Sequence, residues 1–280
     1  MSRQDNVGIF ERTREMYLSD PELMEAVKAS ISRQKVYATP PMTGGKEGET
    51  TIKVTKRRSF EAASYYTTGR TAVLNFASAR NPGGGVEGGS SAQEEALCRA
   101  STLYPCLCDK GVWADFYGFH RRQNDPVYSD RVIYTPDVVV FRNDDRYMDV
   151  LQRRQWWKVD VISCAAPNRG AMEGRGEDVS ILPKVFEDRF RAILSVAEAN
   201  GADNVVLGAF GCGVFGNDPS MVASSAKVAL KDFSFSNVEF AVYCTEWDRT
   251  NFEAFDAVFA DRRLKVQQNT SKAKDKGLCR

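Results

Sequence analysis

Thr71-Ala-Val-Leu-Asn-Phe-Ala-Ser-Ala-Arg-Asn-Pro-Gly83-Gly84-Gly85-Val-Glu-Gly88-Gly89-Ser-Ser-Ala-Gln93-Glu94-Glu95 is the stretch on which the reading of this chain turns. It begins as an apolar, β-branched run, passes through five glycines in seven residues, and ends in the acidic first turn of a helical pattern. A strand feeding a helix through such a loop is the unit of an α/β fold, with the loop at the strand's C-terminal end, where such folds bind ligands. Glycines let backbone adopt positive φ and approach a ligand closely. Ser91 and Glu94 have the S-x-x-E spacing of a capping box, so Ser91 is expected to cap the helix. A Gln-Glu-Glu alone would be an ordinary stabilised helix start, and a glycine run alone an ordinary turn. Two adjacent carboxyl groups beside a backbone loop that can wrap a substrate form a candidate acid/base arrangement.

Working outward, residues 5–36 carry apolar residues at three-to-four spacing and read as helical, with Asp20-Pro21-Glu22 as an internal helix start. Thr39–Glu49 is Pro/Gly-rich and reads as a linker. Strands are expected at Thr51–Val54, Thr71–Phe76, Val132–Phe141 (one or two), Val159–Ala165, Asn204–Phe210 and Val238–Cys244. Several are continuously apolar, as in strands buried on both faces of a mainly parallel sheet. Helical patterns fill the gaps at Ala92–Leu107, Val179–Asn200, Pro219–Phe233 and Asn251–Phe259, with Asn200-Gly201 as a stop. The alternation predicts a three-layer α/β/α sandwich with an N-terminal helical extension. The expected division is 1–42, a helical segment packed on the rest; 50–261, the main domain; and 262–280, a disordered basic tail.

Composition bounds the function. With 42% hydrophobic and 27% charged residues among 280, the chain is of the globular kind, and its apolar runs are too short to span a membrane. Its N-terminus shows no apolar signal segment. Net charge is +1, but residues 262–280 hold seven Lys/Arg against one Asp, so the body is acidic. A nucleic-acid binder would more often carry its excess on the folded body. Seven cysteines and one histidine, His120, argue against a zinc site and for a reducing compartment, expected to be the cytoplasm (or nucleus, if eukaryotic). No metal and no cofactor are expected.

Gly208-Ala-Phe-Gly211-Cys212-Gly213-Val214-Phe215-Gly216-Asn217-Asp218-Pro219 again links a strand to a helix. Its consecutive N–H groups, with the helix N-terminus, could cradle an anion. It is not a P-loop, because no Lys-Ser/Thr follows, and it comes after a late strand rather than the first. A structural turn is the other reading of this loop alone. Ser163-Cys-Ala-Ala-Pro167-Asn168-Arg169-Gly170 brings polar groups to the same edge of the sheet. No G-x-S-x-G is present.

Together these segments resemble the poly(ADP-ribose) glycohydrolase family. Gly83-Gly84-Gly85, seven residues, then Gln93-Glu94-Glu95 matches its GGG-x(6–8)-QEE signature, and the two flanking loops resemble its compact bacterial branch, built on a macrodomain. The likeness covers roughly residues 5–260. It implies that Glu95 is the catalytic carboxyl group and that Glu94 holds ribose hydroxyls. It also implies that Gln93 belongs to the ligand site and that Gly84 and Gly85 lie near the substrate. Gly211, Cys212, Gly213, Val214, Phe215 and Gly216 would embrace the diphosphate, with Phe215 orienting the distal ribose and Asn217 among the ligand-binding residues. Ser78 stands where larger animal members carry a ribose-contacting asparagine, a departure from that pattern. The implied reaction is hydrolysis of ribose–ribose bonds in poly(ADP-ribose), from chain ends, by a monomer whose partners are ADP-ribose and its polymer. No second nucleophilic carboxylate is evident, unlike the usual glycosidase pair. Two alternatives stand: a hydrolase of mono-ADP-ribosyl adducts, and a macrodomain that binds ADP-ribose without cleaving it.

Overall fold

The computed structural model describes residues 2–41, 43, 48–261 and 263–266. The chain opens with helices α1 (Arg3–Ser19) and α2 (Pro21–Arg33) and strand β1 (Lys35–Tyr37). Next come β2 (Gly48–Thr55), α3 (Ser59–Ala63), β3 (Thr71–Phe76), α4 (Gln93–Ala100) and α5 (Leu103–Leu107). A helical run then passes through α6 (Lys110–Val112) and a short π-helical segment (Trp113–Tyr117) to α7 (Gly118–Gln123). The remainder is β4 (Val132–Val140), β5 (Trp157–Cys164), α8 (Arg169–Gly174), α9 (Leu182–Ala199), β6 (Asn204–Leu207), α10 (Pro219–Leu230), β7 (Asn237–Ala241), α11 (Thr250–Val258) and β8 (Arg263–Val266).

The strands form one sheet in the order β1-β4-β5-β3-β6-β7-β2-β8. Its five central strands are parallel, and β4, β1 and β8 join antiparallel at the edges. Alternate side chains go to opposite layers. Leu74, Ile162 and Val205 pack with Phe186, Phe190, Val222 and Phe255 of α9, α10 and α11. Val73, Val161 and Val206 pack with Phe10, Phe60, Leu97 and Leu103 of α1, α3, α4 and α5. Burial on both faces explains the continuous apolar runs and gives the expected three-layer α/β arrangement with a mixed sheet.

Several local expectations are corrected. The helical stretch 5–36 breaks at Asp20, whose carboxylate accepts from the Glu22 and Leu23 amides, and it ends before β1. The N-terminal segment is therefore not purely helical: β1 pairs with β4 and completes one edge of the sheet. The pattern over Ala92–Leu107 is two helices, interrupted where Phe141 and Arg142 donate to the Ala100 carbonyl and Thr102 donates to Val139. The apolar run from Val132 is a single strand, Val132–Val140, with a bulge between Thr135 and Val138. The expected linker is shorter than Thr39–Glu49, because Gly48 and Glu49 pair with Val266 and Lys265. That pairing makes Arg263–Val266, within the expected disordered tail, an edge strand; residues 262 and 267–280 lie outside the described residues. No described helix is long and apolar enough to cross a membrane.

Candidate active site

β3 lies between β5 and β6 with all three parallel, so the segments that follow them leave the same edge side by side. Gln93 fastens the first to the sheet: its Oε1 accepts from the Phe76 amide (2.9 Å), and its Nε2 donates to Leu74 O (2.7 Å) and Ser59 Oγ (3.0 Å). The opening turn of α4 is thereby pinned over the end of β3, with Glu94 and Glu95 in that turn.

Glu94 is only 3% exposed. Its Oε2 accepts from the Ser78 amide (2.7 Å) and its Oε1 from Asn75 Nδ2 (3.4 Å), which also donates to Ser163 Oγ (2.9 Å). Burial pushes its carboxyl pKa up to about 8; the Ser78 amide opposes the rise and the charge of Glu95 adds to it. Glu94 does not act in a capping box. The residue before α4 is Ala92, without a side-chain cap, because the carboxyl group of Glu94 is engaged by Asn75 and Ser78 instead of returning to Ser91.

Glu95, 7% exposed, accepts from the Gly85 amide through Oε1 (2.9 Å). Gly83 and Gly84 hold φ values of +66° and +61°, a region that suits glycine. α1 walls this loop from outside. Arg3 Nε donates to Gly88 O (2.5 Å), and Asn6 Nδ2 to Gly89 O (3.0 Å). Buried Arg99, one turn beyond Glu95, donates through Nη1 to Ser90 O (2.6 Å).

The second loop stands on the segment after β5. Asn217 Nδ2 donates to Pro167 O (2.8 Å) and Gly211 O (2.9 Å), and the Gly170 amide donates to Phe215 O (3.2 Å). Among the described residues, the amides of Gly213, Val214 and Phe215 donate no hydrogen bond within the protein. The helix N-terminus does not join them as expected, because Asp218 caps α10 by accepting from the Met221 amide (2.7 Å).

The two loops face each other across a cleft of about 380 Å³. Ser78, Gly84, Gly85, Gln93, Glu94 and Glu95 line one side, and Gly211, Gly213, Val214 and Phe215 the other. Three expected ligand residues lie off the cleft. Asn217 is buried as the brace just described, Cys212 directs its Sγ to Phe210 O with its thiol pushed up to about 12 by burial, and Gly216 closes the turn onto Gly213 O. Phe215 packs near Tyr128 (ring centroids 6.4 Å apart), which in turn edges His120. That histidine is buried among Phe116, Phe119 and Tyr128, its pKa lowered to about 4 by burial and then by the Arg189 charge.

Asn75, Arg99 and Asn6 are site supports the sequence reading did not single out. Only Arg99 had a local signal, the i,i+4 spacing from Glu95. A second cavity of about 310 Å³, bordered by Arg58, Asp144, Tyr243 and Asn251, adjoins the cleft and shares Gln93 and Gly213 with it. No group of three His, Cys, Asp or Glu among the described residues could hold a metal ion.

Comparison with known proteins agrees with this geometry. The family model of the microbial-type PARG catalytic domain matches residues 10–143. The chain is similar to the poly(ADP-ribose) glycohydrolase of Thermomonospora curvata, at 33% identity over 91% of this chain and 100% of that one, with a TM-score of 0.78. The same enzyme bound to the inhibitor ADP-HPD matches at 33% identity and a TM-score of 0.78, over 91% of this chain and 99% of that one. The Deinococcus radiodurans glycohydrolase in complex with ADP-ribose matches at 33% identity over 83% of this chain and 96% of that one, with a TM-score of 0.75. No curated protein matches the sequence. Identity above 30% over 83–91% of this chain, on a shared macrodomain-like fold, means that this chain belongs to the poly(ADP-ribose) glycohydrolase family.

Proposed function

We propose that the protein hydrolyses the ribose–ribose O-glycosidic bonds of poly(ADP-ribose) and releases ADP-ribose. The observation that carries this reading is the meeting of Glu94 and Glu95 under Gly84, facing the free amides of Gly213, Val214 and Phe215 across one cleft. Those amides hold the diphosphate of the bound unit without needing a cation. Phe215 lies against the ribose whose anomeric carbon reacts. The adenosine end enters the adjoining cavity past Gly213, against the Arg58 guanidinium stacked on the Tyr243 ring. In this reading the bound unit is a chain terminus. Both sides of the site come from one chain, so a monomer suffices.

In this reading protonated Glu95 donates its proton to the departing 2′-oxygen as the bond from the anomeric carbon to that oxygen breaks. Positive charge develops on the ribose and is balanced by the nearby diphosphate. Glu95, now a carboxylate, takes a proton from a water whose oxygen bonds the anomeric carbon. This restores the acid and leaves a free hydroxyl on each ribose. Glu94 keeps its proton up to about pH 8. It therefore hydrogen-bonds ribose hydroxyls as a neutral group and adds no second negative charge beside Glu95.

The test is to give the purified protein polymer and, separately, mono-ADP-ribosylated protein, and to measure free ADP-ribose. Release from polymer supports the reading. Release from the mono-modified protein alone favours the adduct hydrolase, and tight ADP-ribose binding without release from either makes the protein a reader.

A further inference from the structure

The cleft and the adjoining cavity give the bound unit a direction. On the glycohydrolase reading its adenosine end lies by Tyr243, its diphosphate at Gly213–Phe215 and its reacting carbon at Glu95, residues that line these two spaces. On the bond side the cleft reaches Ser78 and Asn81. Arg80 and Arg121, both exposed, stand on that rim.

Their placement is fixed by neutral partners. Arg121 Nε donates to Arg80 O (2.8 Å), and its Nη2 donates to Asn81 Oδ1 (2.6 Å). The Arg121 guanidinium lies 4.8 Å from the ring centroid of Trp113, itself 41% exposed. Arg80 Nη2 donates to Asn124 Oδ1, and Arg175 Nη1 donates to Asn124 O (2.8 Å). Among the described residues neither Arg80 nor Arg121 pairs with a carboxylate. Guanidinium groups held by carbonyl and amide oxygens keep their charge available to an incoming anion.

We infer that this rim binds the diphosphate of the departing half of the substrate, the unit whose 2′-oxygen leaves. This rests on the glycohydrolase reading and narrows it. A polymer carries a second diphosphate one adenosine beyond the bond, whereas an ADP-ribosyl group on a protein side chain has none there. The rim therefore selects polymer over single adducts.

The experiment compares wild type with Arg80→Gln and with the Arg80→Gln/Arg121→Gln double variant. Each is assayed on poly(ADP-ribose) and on an ADP-ribose conjugate whose leaving group is an uncharged phenol, over a range of salt. The double variant should lose about tenfold or more in kcat/KM on polymer, with a shallower salt dependence, because charge-assisted phosphate contacts are lost. The conjugate should be turned over at close to the wild-type rate by all three proteins. Unchanged polymer kinetics would overturn the inference. Equal losses on both substrates would also overturn it, since the arginines would then only be holding Asn81 and its loop. Wild type inert on polymer and conjugate alike would instead refute the glycohydrolase reading itself.

Discussion

Gly84 leaves open the place that Glu95 fills: a Cβ built on Gly84 would stand 2.5 Å from Glu95 Oε1, and 3.1 Å from Glu94 Oε2. The triple glycine and the Gln-Glu-Glu are thus two halves of one packing solution. Gly84→Ala would press on both carboxyl groups at a φ of +61°. Turnover should fall by about a hundredfold, the scale of a misplaced catalytic group. Circular dichroism should stay near wild type, and steady-state kinetics read the loss. An alanine variant with full activity would separate the loop from the chemistry.

Glu95→Gln keeps the acceptor for the Gly85 amide and removes the exchangeable proton. Turnover should drop by about 10²–10⁴-fold, the range expected of a general acid/base, while ADP-ribose affinity by calorimetry changes little. Wild-type-like rates would reassign the proton transfer.

Glu94 makes stability depend on pH in a definite direction. Its folded-state pKa, about 8, lies above the ordinary 4.5, so between these values the native state holds a proton that the unfolded state has released. Its contribution to stability is therefore complete below about pH 4.5, declines as pH rises through the folded value, and levels off above about 8. Glu94→Gln removes this dependence. The melting temperature of the variant relative to wild type should rise from pH 5 to about pH 8 and then level off. A constant difference would mean that the carboxyl group is not buried as described.

Two glycines of the second loop should respond oppositely. Nothing lies within 4 Å of a Cβ placed on Gly213, whereas one on Gly211 would meet Ala166 Cβ at 2.7 Å with φ at +78°. Gly213→Val should leave the melting temperature nearly unchanged and weaken ADP-ribose binding by crowding the diphosphate. Gly211→Val should lower stability by about 1–3 kcal/mol, the usual cost of strain and overpacking. Thermal melts and calorimetry on both variants distinguish the two effects.

The layers and the two loops were legible in the sequence because their causes are local or periodic. Val73, Val161 and Val206 alternate with Leu74, Ile162 and Val205 to opposite cores, which an apolar run records. What was illegible depends on partners far along the chain. Asn6 reaches a carbonyl 83 residues away, and nothing near it announces the contact. Ser91 fits the capping spacing, but Glu94 is drawn to Asn75 and Ser78, which only tertiary structure brings near. Arg263–Val266 looks like the start of a basic tail until the backbone of β2 supplies its pairing.

The bracing of the second loop by Asn217, against Pro167 and beside Ala166, also limits how this protein can be re-engineered. A transplanted 211–216 segment would arrive in a foreign scaffold without its floor and would lose the curvature that points its amides inward. A successful graft would have to carry the strand exit at 165–168 along with it, so the exchangeable part is a two-strand module rather than a six-residue peptide.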